Sequence, residues 1–173
     1  MFLLAAMAVA SLTANAQVWL GGSLGVSYEK QVNDNKDFVF SLAPSVGYNL
    51  SEDWAIAIDV NFGFNSTSPK VGDATNTITL GANPYARYTF ARAGVASFFL
   101  DLGGGIDVEK PKNVDATTFW YVGVRPGVAF AITDHVSFVG RSGFLGYRGR
   151  KDYTYIGLNA NNELFSVGLF YTF

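Results

Sequence analysis

Asp59, Arg87, Asp101, Arg125 and Arg141 are the residues of this chain best placed to do chemistry together. Each lies in a stretch where apolar residues alternate with small or polar ones, and each falls on the small, polar side. A period of two sends that side to one face of a β-strand. Each also stands about three to seven residues from the same end of its strand, so the five should meet as one layer of mixed sign. Such a layer is either an ion path with a gate or a plug of paired charges. The plug is favoured, because guanidinium groups taken out of water must find carboxylates or remain costly unpaired charges.

Other residues with chemical potential are dispersed. Glu29, Asp107 and Glu109 lie nearer the opposite end of their strands and read as a solvated rim, with no supporting pattern for a metal site. The single histidine, His135, falls in a short link and reads as a turn residue. Gly103, Gly104 and Gly105 sit within a strand with no helix following, which excludes a phosphate loop. The chain has no cysteine, so disulfides and thiolate metal sites are excluded. No cofactor is expected. Arg150, Lys151, Tyr153 and Tyr155 cluster in the link from Gly149 to Glu163. They suit contact with an extracellular protein or glycan, or else they continue the last two strands as a protruding hairpin, which is the favoured reading.

The elements that position these residues are legible as repeated alternation. In the clearest stretch Trp54, Ile56, Ile58, Val60, Phe62 and Phe64 oppose Ala55, Ala57, Asp59, Asn61, Gly63 and Asn65. That is the pattern of a strand with lipid on one side and a polar lumen on the other. Similar stretches run from Val18 to Tyr28, Phe38 to Leu50, Ile78 to Phe90, Phe98 to Val108, Trp120 to Ile132 and Phe165 to Phe173. Val136 to Tyr147 is less regular, and a bulge there would change its phase. The spacing therefore predicts eight antiparallel strands.

Links alternate in length. Short ones lie at Ser51 to Asp53, Ala91 to Gly94 and Thr133 to His135; long polar ones at Lys30 to Asp37, Ser66 to Asn76, Pro111 to Thr117 and Arg148 to Glu163. Barrels of outer membranes have short periplasmic turns and longer external loops, which supplies an orientation. Tyr48, Tyr88, Phe130 and Tyr171 recur near the short-link ends of alternate strands and predict an aromatic girdle. Pro44, Pro84 and Pro126 stand at one depth and suggest a repeated local device such as a bulge.

Both ends of the chain point to export. Residues 1–16 are apolar and close on Ala14-Asn15-Ala16, a small-x-small cleavage pattern, so residues 17–173 are expected as the mature domain. Ser166, Gly168, Tyr171 and Phe173 form an ending that resembles the signal by which outer-membrane barrels are recognised by the barrel-assembly machinery. The composition, with 49% hydrophobic residues, 15 Phe, 9 Tyr and 19 Gly in 173 residues, contains no apolar run after Ala16 long enough for a spanning helix. Strands can span lipid only as a closed barrel. A net charge of −2 gives no support for a nucleic-acid partner.

Together with the segments Pro84-Tyr85-Ala86-Arg87-Tyr88 and Pro126-Gly127-Val128, these features resemble the small outer-membrane β-barrel family of the OmpX and OmpA-transmembrane-domain kind. The resemblance implies a closed, all-β, up-and-down transmembrane barrel of eight strands in the outer membrane of a Gram-negative bacterium. It does not identify an activity, and with His135 in a short turn the residues give catalysis little support, so a monomer in contact with membrane lipid and lipopolysaccharide, non-enzymatic and with a structural or surface-interaction role, is expected. A narrow pore is the alternative function, and a lipid-modifying enzyme the second. A soluble barrel with the apolar face turned inward toward a ligand is the architectural rival.

Overall fold

The structure is a computed structural model that describes residues 18–30, 36–69, 74–151, 153–159 and 166–173, with the backbone alone for Ser27, Glu29, Lys30 and Asn159. The leader read at residues 1–16, Phe165 and the side chain of Glu29 lie outside the described residues. Among the described residues ten strand segments follow one another: β1 (Val18–Lys30), β2 (Lys36–Asn49), β3 (Trp54–Ser68), β4 (Thr75–Ala93), β5 (Ala96–Pro111), β6 (Thr117–Ala131), β7 (Val136–Arg141), β8 (Phe144–Arg150), β9 (Tyr153–Asn159) and β10 (Ser166–Thr172). Each of β1 to β5 pairs antiparallel with the next, β5 pairs with β6, and β6 pairs with both β7 and β8. β8 pairs with β9, while β7 pairs with β10 and β10 with β1, which closes the ring. Segments β7 and β8 form the seventh wall strand and β9 and β10 the eighth, giving a closed barrel of eight strands.

The alternation decides which way this wall faces. Trp54, Ile56, Ile58, Val60, Phe62 and Phe64 are exposed on the outside, whereas Ala55 and Asp59 are buried within. An inverted, soluble barrel is thereby rejected, since its apolar side chains would fill the interior. Outward aromatics gather at two heights. Trp54 lies 4.8 Å from Tyr88 at the short-turn end, and Trp120 stacks on Tyr147 at 4.6 Å toward the long-loop end. On β6, Trp120 and Phe130 are separated by about ten residues, which at ~3.3 Å per residue and ~40° of tilt is about 25 Å, the height of an outer-membrane apolar band.

The strands run further at the long-loop end than the apolar alternation does. Ser66 pairs with Asn76 and Thr67 with Thr75, extending β3 and β4 through polar residues. Above the lipid a strand needs no apolar face, so pairing outlasts the hydrophobic pattern. The second short turn also differs from the reading at Ala91 to Gly94. Ala93 pairs with Ala96, leaving Gly94 and Val95 as a two-residue turn, and Gly94 has φ of 58°. Positive φ at the first central position is what a type II′ hairpin asks of glycine. The other two short turns are closed by hydroxyls. Ser51 Oγ accepts from the Trp54 N–H at 3.1 Å, and Thr133 Oγ1 from the Val136 N–H at 3.0 Å.

The irregular seventh strand does contain a bulge. Arg141 pairs with Gly127 and Leu145 with Val124, so three residues, Ser142 to Phe144, face two, Arg125 and Pro126. Gly143 takes φ of 76°, and the Ser142 N–H bonds the Pro126 carbonyl at 3.1 Å. The bulge exchanges the faces: Val139 and Arg141 are buried below it, while Phe144 and Arg148 line the interior above it. The suggestion of one device at all three prolines is corrected. At Pro44 the β2–β3 ladder lapses and resumes in the same register, as does the β4–β5 ladder at Pro84. Only Pro126 faces an inserted residue, because a missing N–H requires a gap in the ladder but no change of register.

Candidate functional site

The five charged residues read from the sequence are brought together inside the barrel. Asp101 is 1% exposed and accepts from two arginines, Arg87 and Arg141. Arg87 forks onto it with Nε–Oδ1 at 2.7 Å and Nη2–Oδ2 at 2.9 Å, and Arg141 Nε meets Oδ2 at 2.8 Å. Arg141 then reaches Asp59 Oδ2 with Nη1 at 3.4 Å and donates from Nη2 to the Tyr85 hydroxyl at 2.6 Å. Ser45 Oγ donates to the other oxygen of Asp59. The register explains the meeting, since Arg87 is paired with Asp101, Asp101 with Arg125, and Asp59 with Ser45.

Arg125 differs from the other two arginines. Its Nη2 stands 4.0 Å from Asp59 Oδ2, and its side chain is 29% exposed. Asp59 is already engaged by Arg141 and Ser45, so the layer has two carboxylates closely held by two guanidinium groups and a third cation left at its margin. The arrangement carries one surplus positive charge on the long-loop side.

On the short-turn side an aromatic collar completes the closure. Trp19, Tyr85, Phe99, Phe170 and Val139 form one buried cluster. Trp19 meets Phe170 edge to face at 5.0 Å, and the Arg87 guanidinium lies 3.7 Å from the centroid of Phe99. The wall makes room by placing glycine opposite the large rings: a Cβ at Gly127 would collide with the ring of Phe99. Trp19, Phe99 and Phe170 were not read from the sequence as interior residues. Phe99 has the same parity as Asp101, which was a usable signal, but it is flanked by the outward Phe98 and partly exposed Leu100. Asn83, paired with Asp59 on the neighbouring strand, is buried at 1% exposure, and neither amide atom has a hydrogen-bond partner among the described residues.

Above the charged layer the lumen widens into a vestibule of about 570 Å³, lined by Asn61, Asp107, Phe119, Tyr121, Arg125 and Phe144, with Arg148, Arg150, Tyr153 and Tyr155. The reading of Arg150, Tyr153 and Tyr155 as an outward loop surface is therefore corrected: these side chains line the interior, while Lys151 is exposed at the turn. The hairpin itself is present, with β8 and β9 paired from Phe144 and Asn159 to Arg150 and Tyr153, but it does not protrude. Trp120 is paired with Gly149, so the β8–β9 turn lies near the level of Trp120 and β5 and β6 rise past it. Asp107 accepts from Asn61 Nδ2 at 3.3 Å, and Glu109 lies 4.0 Å from Arg148.

Ser166, Gly168, Tyr171 and Phe173, whose pattern resembles an assembly signal, lie on β10 and just beyond it. Tyr171 and Phe173 are exposed, with ring centroids 5.1 Å apart. A Cβ at Gly168 would collide with the Gly22 carbonyl oxygen, which gives that glycine a packing reason independent of recognition. His135 stands at the short-turn end and brackets Thr172. Its carbonyl accepts from the Thr172 N–H at 2.8 Å, and its Nδ1 donates to the Thr172 carbonyl at 2.9 Å.

One solved structure shares this architecture. The chain resembles the crystal structure of Neisserial surface protein A at 19% identity and a TM-score of 0.51, covering 90% of this chain and 96% of that one. The N-terminal β-barrel domain of Pseudomonas aeruginosa OprF matches at 14% identity and a TM-score of 0.43, over 91% and 98% of the two chains. A search of curated protein sequences found no match. The family model for the outer membrane protein beta-barrel domain matches residues 1–173, and the chain belongs to that family.

Proposed function

We propose that this protein is a non-enzymatic outer-membrane barrel that is closed to solutes and acts as a structural or surface-interaction component. The observation that carries the reading is the buried layer in which Asp59, Asp101 and Arg141 are 3%, 1% and 5% exposed. Side chains on facing strands meet there within bonding distance, and the aromatic collar lies against them. An eight-stranded barrel is just narrow enough for such filling. Contacts with lipopolysaccharide, proteins or glycans then fall to the long-loop end, while lipid meets the apolar outer wall.

Planar-bilayer recording tests this directly. The wild-type chain should insert without steady conductance, while Phe99→Ala combined with Arg87→Ala should raise the frequency of open events by removing two fillers from one level. Steady wild-type conductance would make transport the leading function.

A further inference from the structure

The vestibule differs from the plug beneath it in its charge balance: among the described residues that line it, cations outnumber carboxylates. Among the residues lining it are three guanidinium groups, Arg125, Arg148 and Arg150, against one carboxylate, Asp107, which is hydrogen-bonded to Asn61. Arg148 has Glu109 only at 4.0 Å, and its Nε is buried with no hydrogen-bond partner among the described residues. Arg125 contributes the surplus charge of the plug to the same space.

The second component of the lining is aromatic. The Arg148 guanidinium lies 4.9 Å from the centroid of Phe119, and that of Arg150 lies 5.4 Å from Phe119 and 5.5 Å from Tyr153. Tyr121 and Phe144 meet edge to face at 6.0 Å on another part of the wall. A guanidinium resting on a ring keeps N–H donors at its edge, in the fork geometry that fits carboxylate and phosphate oxygens. Ring faces beside those donors suit a flat apolar surface, and the volume is that of a small-molecule site.

We propose that the vestibule binds a small organic anion in which a carboxylate or phosphate is attached to a ring. Arg148 and Arg150 hold the anionic group, Arg125 adds its field from the floor, and Phe119 with Tyr153 flank the ring. An acidic sugar and an aromatic acid share this chemistry.

The test uses the full chain, folded in nonionic detergent, and isothermal titration with four probes: phenyl phosphate, glucuronate, inorganic phosphate and glucose. Saturable one-to-one binding of either ring anion, at least about tenfold tighter than inorganic phosphate or glucose, is the expected result, a tenfold ratio being about 1.4 kcal/mol. Preference for glucuronate assigns the site to acidic sugars, and preference for phenyl phosphate to aromatic acids. Arg148→Gln with Arg150→Gln should lower that affinity at least tenfold. Phe119→Leu should weaken the ring anion but not inorganic phosphate, and Lys151→Gln, outside the vestibule, should bind as wild type. Arg150→Gln alone, at an exposed position, serves if the double variant does not fold. No binding of either ring anion, equal affinity for inorganic phosphate, or affinity indifferent to the arginine changes would overturn the proposal.

Discussion

Arg141 and Arg125 carry the same group on neighbouring strands, yet the barrel uses them differently. Arg141 is 5% exposed and joins Asp59, Asp101 and Tyr85, so its loss leaves two buried carboxylates short of a cation. Arg141→Ala should destabilise the barrel by roughly 3–5 kcal/mol. Arg125, partly exposed and 4.0 Å from Asp59, should cost about 1 kcal/mol or less when changed to alanine. Reversible urea unfolding in lipid vesicles checks the pair, and equal losses would show that the two arginines share the load. Sequence parity placed both inside. It could not rank them, because pairing depends on which partner has already been engaged by residues from distant strands.

At the scale of the element, the bulge at Ser142 to Phe144 separates two phases of the seventh wall strand. Removing the extra residue should restore a continuous alternation and send either the plug half or the vestibule half to the wrong face. Deletion of Ser142 is therefore expected to turn Arg148 toward lipid or Arg141 away from Asp101. An arginine on the lipid face costs roughly 2–4 kcal/mol near the midplane and about 0–1 kcal/mol near the interface where Arg148 lies, so the larger loss comes from displacing Arg141. The yield of folded barrel, read by heat-dependent gel mobility, should fall sharply. Full folding with wild-type stability would mean that the strand tolerates either phase. The irregularity of Val136 to Tyr147 was visible in the sequence, but its position was not. A ladder shift is defined only against the partner strand, here at Pro126.

For the whole molecule, the closing seam joins the two chain-terminal strands. Phe173 contributes one backbone bond to the Val18 carbonyl at 3.1 Å, and a ring that remains exposed. Its packing contribution is accordingly small, on the order of 1–2 kcal/mol. If the terminal aromatic is also a recognition element, deleting Phe173 should reduce folded protein in cell membranes severalfold while leaving refolding in detergent nearly unchanged. Equal losses in both settings would assign the residue to packing alone.

The sequence by itself determined the barrel, its eight-strand count, the face turned to lipid and the identity of the plug charges. Those features follow from a period of two, which every residue in a strand obeys whatever its neighbours. Tertiary structure alone decided that Arg141 rather than Arg125 closes the ion network, that Trp19, Phe99 and Phe170 seal one side of it, and that Tyr153 and Tyr155 face an interior vestibule. Each of these depends on register between strands far apart in the chain. Alternation specifies a face, whereas height along the barrel, and hence which side chains touch, is set only when the wall closes.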